Sequence, residues 1–238
     1  MKIYKGYSLL GIMVAISLSS LLLWVIVDFY IQHQRQHIVL FRQLALQQNI
    51  ERLLQTMKKD IRRSGFMGKS NKVEENNMAF FLNQVQHQPF VIAEKNGELK
   101  KSCFIFTYDL DESGCIGGLP KSHKSCIYHN RNNTKFIQKE LFGYRLNKGV
   151  VETRVLREKQ IKENCSQVEC QKYVSPWACN HKGWHKFLDD YAVDISQLKF
   201  KWVKRNQLLE VELKGRLKQY KNITYETKAI IPLFNRGK

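Results

Sequence analysis

The sequence predicts an α+β protein: a long N-terminal helix, its first half in a membrane, packed against a C-terminal antiparallel sheet with disulfide-stabilised loops. Three observations predict it. Residues 9–27 form a 19-residue run without a charged side chain. Neither Gly nor Pro occurs from residue 12 to residue 64. From Gly65 onward the pattern changes to shorter apolar runs separated by polar turns, and all six cysteines fall there.

As a helix the apolar run would extend roughly 28 Å, close to the hydrocarbon thickness of a bilayer. A cleaved secretory signal would also place Lys2 and Lys5 before an apolar stretch. Such stretches are usually shorter, about 7 to 15 residues, and no small-x-small cleavage site follows; residues 24–30 are bulky and then polar. A retained single-pass anchor is the better reading. Lys2 and Lys5 on one side face Arg35 and Arg42 on the other, so charge bias leaves the orientation open. The cysteines favour an outward or periplasmic body, because an even number beyond the anchor suits an oxidising compartment.

The uninterrupted segment would reach roughly 80 Å if helical throughout. In its second half Leu46, Ile50, Leu53, Leu54, Met57 and Ile61 recur at intervals of three and four, which makes one apolar stripe. Arg62 and Arg63 suit the negative end of the helix, and Gly65 ends it. Residues 69–88 read as irregular. Strands are expected at 103–108, 143–146 and 150–156, the latter two joined through Asn147, Lys148 and Gly149 as a hairpin. Leu198, Phe200 and Trp202 alternate, as do Leu209, Val211 and Leu213, with residues 204–207 as their turn; a last strand is expected at 223–231.

At 238 residues, with 43% hydrophobic and 25% charged side chains, the chain can build one globular domain with a core plus extra elements. A large multidomain enzyme is not expected at this length. The net charge of +18 favours nucleic acid, lipid phosphate or an acidic protein as partner, without choosing among them. No nucleophile with its base, no phosphate-binding glycine loop and no paired acids stand out: Asp189 and Asp190 are adjacent, and Gly117-Gly118 lacks a strand-loop-helix context. A non-enzymatic protein without a cofactor is expected.

The start, Met1-Lys2-Ile3-Tyr4-Lys5-Gly6-Tyr7-Ser8-Leu9-Leu10, resembles the signal of type IV prepilins: a basic leader, Gly, an aromatic residue and an apolar helix. Lys5 suits cytosolic headgroups and Gly6 offers a peptidase close access to the backbone. Residues 53–66, ending Asp60-Ile61-Arg62-Arg63-Ser64-Gly65-Phe66, are similar to the end of the long helix in minor pilins of the prepilin peptidase-dependent protein B family, where it ends Arg-Arg-Ala-Gly. Residues 143–153 and 183–187 are also similar to segments of that family.

The resemblance implies a type IV pilin-like fold, with a leader at 1–6, a long helix at 7–64 whose part 7–30 serves membrane and assembly, and a periplasmic domain at 65–238. It implies cleavage between Gly6 and Tyr7 by a prepilin peptidase, methylation of Tyr7, and a minor pilin or pseudopilin that initiates or caps a type IV pilus or a competence or secretion pseudopilus. Its partners would be the peptidase, other minor and major pilins and the inner membrane. The usual Glu at the fifth mature position is replaced by Gly11. In the family that carboxylate pairs with a neighbouring subunit's N-terminal amine within an apolar bundle. A subunit at the filament tip needs no such partner, so Gly11 points to the tip; weakened assembly, or a carboxylate from another subunit, are the rival readings.

Three further groups are candidate sites. Cys165, Cys170 and Cys179 with His181 and His185 have a spacing compatible with zinc, but an oxidising compartment favours disulfides among Cys103, Cys115, Cys126, Cys165, Cys170 and Cys179. Sequence leaves the pairing open beyond the expectation that Cys165 or Cys170 pairs within its own loop-rich region. Asp109, Asp111 and Glu112 begin like a calcium loop, yet its twelfth position is Pro120, so a β-turn is preferred over a looser calcium site on Asp109 and Asp111. Lys199, Lys201, Lys204, Arg205, Lys214, Arg216, Lys218 and Lys221 crowd the last strands with Trp202 and Tyr220; they are a candidate DNA or phosphate face, against a reading as solvated lysines protecting a sheet.

Overall fold

The computed structural model describes residues 8–121, 124–187 and 192–235. The chain divides into two compact units, Met1–Ala45 and Leu46–Lys238, and the first helix, α1 (Leu9–Ile61), contributes to both. In the first unit, large apolar side chains such as Leu18, Leu22 and Val25 are exposed along a helix long and apolar enough to cross a membrane. The serines within it are reconciled with lipid locally. Ser17, Ser19 and Ser20 donate their hydroxyls to the carbonyls of Val14, Ile16 and Ser17 at 2.9, 3.0 and 2.9 Å, so none presents an unsatisfied donor to the apolar phase.

In the second unit the predicted stripe is the buried face of α1: Leu46, Ile50, Leu53, Leu54, Met57 and Ile61 are all buried. Each such side chain stabilises the fold by about 1.5–3 kcal/mol relative to exposure. After Ile61 the chain turns, and Gly65, at φ +76°, donates its amide to the Thr107 carbonyl at 2.8 Å.

Ten strands follow. β1 (Phe90–Ala93), β2 (Cys103–Thr107), β5 (Leu141–Asn147), β6 (Val150–Arg154) and β7 (Trp184–Lys186) form an antiparallel sheet in the order β1-β2-β5-β6-β7. β3 (Ile127–Tyr128) and β4 (Arg131–Asn132) are a separate small hairpin. β8 (Val193–Lys204), β9 (Leu208–Leu217) and β10 (Thr224–Pro232) form a second antiparallel sheet in the order β10-β9-β8. A short helix, α2 (Gln167–Gln171), lies in the loop-rich region before β7.

Two apolar clusters explain why β2 is buried at every position. Phe104 and Phe106 join Phe90, Tyr144, Phe200 and the α1 stripe in one cluster, while Cys103 and Ile105 join Phe81, Leu141, Val174 and Cys179 in the other. Alternate side chains of one strand therefore feed opposite cores. The Phe104 and Phe200 rings, 5.4 Å between centroids, join the two sheets through the first cluster. Tyr144 donates to Asp60 at 2.5 Å and Tyr225 donates to Glu51 at 2.7 Å, which fixes the second half of α1 to both sheets by polar contacts as well.

Candidate functional sites

The predicted processing residues Gly6 and Tyr7 lie outside the described residues. Gly11 is within α1, and a Cβ added there would meet nothing within 4 Å, so a side chain fits the isolated chain.

All six cysteines are oxidised in pairs: Cys103 with Cys179, Cys115 with Cys126, and Cys165 with Cys170. The last pair is the one expected within the loop-rich region. No thiolate is left for a metal beside His181 and His185, because Cys179 is committed to β2.

Asp109 and Asp111 follow β2 and come together with Glu140, which precedes β5; one carboxylate oxygen of each lies within 4.8 Å of the others. Sequence gave no sign of Glu140, 29 residues from Asp111. The node is already used by the backbone. Asp109 accepts amides from Gly68, Ser113 and Gly114 at 3.0, 3.1 and 2.8 Å, and Glu140 accepts from Leu110 and Gly117 at 2.8 and 2.6 Å. Burial raises the Glu140 carboxyl to about 7, aided by the charges of Asp109 and Asp111 and opposed by its backbone donors. Its geometry is that of a loop anchor: three carboxylates holding the segments at 68, 109–117 and 140 together.

The basic residues of the last strands sit on the second sheet among acids spaced by the strand register. Lys201 and Lys228 both reach Glu212, at 2.5 and 3.1 Å; Arg216 reaches Asp194 at 2.7 Å; Lys214 reaches Glu226 at 3.6 Å. Lys199 is the register partner of Glu212. Hydrogen bonds from Lys201 and Lys228 hold the Glu212 carboxyl below its usual range. The Lys214–Glu226 pair is exposed and adds little stability, whereas Glu212 is buried between its lysines; together these pairs cancel much of the charge that a phosphate would seek. Lys204, Arg205, Lys218 and Lys221 remain exposed at the strand ends.

A second group of cations lies elsewhere, at the end of α1. Lys58, Lys59, Arg62 and Arg63 line a groove of about 450 Å³ with Gln55 and Phe234; of these, only Arg62 and Arg63 are expected from the sequence, as the helix end.

A sequence model of the family described as prepilin peptidase-dependent protein B matches residues 39–233. That span contains the second half of α1, both sheets and all three disulfides. A Haemophilus influenzae protein described as uncharacterized is 37% identical over 194 residues, which are 81% of this chain and 81% of that one. No solved structure matches. With the family pattern running through the whole folded body, the chain belongs to the prepilin peptidase-dependent protein B family.

Proposed function

We propose that the protein is a minor pilin, or pseudopilin, that helps initiate or cap a type IV pilus or a competence or secretion pseudopilus. It has no enzymatic activity in this reading. The observation that carries the proposal is the division of one 53-residue helix: an apolar, exposed first part, and a second part buried in a folded body. Before assembly the first part lies in the inner membrane with the body in the periplasm, where the three disulfides form. A prepilin peptidase then cuts after Gly6. The apolar part moves from lipid into a bundle of other pilin helices, exchanging lipid contacts for protein contacts, while the body determines its place and partners.

Gly11 supports a place at the tip. There no subunit above supplies the amine that the family's usual carboxylate neutralises, so a carboxylate would be buried unpaired, at a cost of about 2.5–3.5 kcal/mol in an apolar surround. A Gly11→Glu chain is therefore expected to initiate at least about tenfold fewer filaments at unchanged protein level. Counting filaments by electron microscopy in cells with this replacement as the sole copy is the test. Normal filament numbers would remove the tip assignment, because they would show that the extra carboxylate finds a partner.

A further inference from the structure

We infer that the groove at the C-terminal end of α1 binds the phosphate backbone of a single-stranded polynucleotide, with Phe234 as a stacking platform for a base. The inference rests on the folded body alone and does not depend on the pilin reading.

Four of the six residues lining the groove are cations: Lys58 and Lys59 in the last turn of α1, and Arg62 and Arg63 in the turn that follows it. Among the described residues, no carboxylate lies within salt-bridge distance of any of the four, in contrast to the paired cations on the second sheet. The nearby acids of α1 turn toward the sheets, Asp60 accepting from Tyr144 and Glu51 from Tyr225, and Arg63 has the Tyr108 hydroxyl as its neighbour. The helix terminus supplies only about half a negative charge, too little to balance four cations. The fold thus holds a self-repelling cluster that a polyanion would relieve.

Phe234 narrows the class of polyanion. It follows β10, it is 67% exposed, and the Arg62 guanidinium carbon lies 5.8 Å from its ring centre. An exposed aromatic ring beside Arg and Lys offers a base a stacking surface and its phosphates a cationic track, the combination that binds single strands without sequence preference. An acidic peptide would use the cations and leave the ring idle.

The test is fluorescence anisotropy of a fluorescein-labelled oligothymidylate of about twenty nucleotides, titrated with the full chain in detergent over a range of salt. The combined Lys59→Gln and Arg62→Gln variant is expected to bind at least about tenfold more weakly and to lose about 1.4 from the log–log salt slope, some 0.7 per phosphate contact. Phe234→Ala is expected to bind about tenfold more weakly with the slope unchanged, and Phe234→Trp to restore binding. Lys218→Gln with Lys221→Gln, at the end of the second sheet, should leave affinity near wild type. Intact disulfides by mass and an unchanged circular dichroism spectrum establish that each variant is folded. Unaltered affinity and slope in the Lys59 and Arg62 variant would overturn the proposal. So would equal loss in the Lys218 and Lys221 variant. Polyglutamate displacing the oligonucleotide at equal charge concentration would reassign the groove to an acidic protein, and binding only to anionic phospholipid vesicles would reassign it to a membrane surface.

Discussion

Cells producing the protein with Cys103→Ala and Cys179→Ala are expected to contain far less of it, and the purified variant to unfold at much lower denaturant than the parent. Cys103 opens β2 and Cys179 ends the short 3-10 turn Pro176–Cys179, 76 residues away. Closing a loop of that length in the unfolded chain is worth about 4 kcal/mol, whereas the Cys165–Cys170 bridge, five residues apart, is worth about 2. Both Cys103 and Cys179 are completely buried in the second apolar cluster, so their removal also loosens the contact between the five-stranded sheet and the loop-rich region. A loss of about 4 kcal/mol is a large share of a typical total stability of about 5–15. Urea unfolding of the two double variants side by side checks the ranking. Equal destabilisation by the two would contradict the assignment of Cys103–Cys179 as the principal crosslink.

Gly65→Val is expected to destabilise the body by about 3 kcal/mol or more, enough to deplete the protein in cells. Gly65 combines a left-handed backbone, at φ +76°, with a crowded approach: an added Cβ would lie 2.7 Å from Pro89 Cγ and closer still to the Asn235 carbonyl. A β-branched residue is strained at that φ, and here the neighbouring backbone would have to move as well. Gly97 provides the control. Its φ is +84°, yet an added Cβ would meet nothing within 4 Å, so Gly97→Val should cost the conformational strain alone, about 1–2 kcal/mol. Thermal unfolding of the two variants reads the difference; similar losses would mean that the turn after α1 tolerates movement.

The long helix was legible because its signals are local. Absence of Gly and Pro, a charge-free run and a stripe at intervals of three and four all act within a few turns, and every residue of the stripe is buried. The β5–β6 hairpin was equally plain, since Lys148 and Gly149 take φ +49° and +78° as a tight turn requires. β8 was recognised only in its second half. A register shift between Ile195 and Gln197 moves the buried positions from 193 and 195 to 198 and 200, with Trp202 partly buried beyond them, so strict alternation fails across the bulge. β1 and β7 were missed because runs of four and three residues carry too little pattern, and they gain their identity from pairing with β2 and β6. The strand expected at 150–156 stops at Arg154, and Val155 instead donates its amide to the Gly183 carbonyl.

The candidate sites divide along the same line. The sequence leads one to expect only that Cys165 or Cys170 pairs within its own loop-rich region; which cysteine each takes, and above all the partner of Cys103, depends on how that region folds back over β2. Glu140 carries no local signal that it will meet Asp109. Charges on the last strands looked like a basic face because sequence displays one strand at a time; register then sets Glu212 between Lys199 and Lys228, within diagonal reach of Lys201, and Asp194 beside Arg216. Arg62 and Arg63 looked like an ordinary helix terminus, and only the return of Phe234 beside Arg62 makes a groove of them with Lys58 and Lys59.

The central claim, a processed helix that leaves the bilayer for a filament, is tested most directly by the intact mass and N-terminal sequence of the protein recovered from cells with an active prepilin peptidase. A chain beginning at a methylated Tyr7 is the predicted result. A chain that still carries Met1 to Gly6 would contradict it and leave the protein as a stationary membrane anchor.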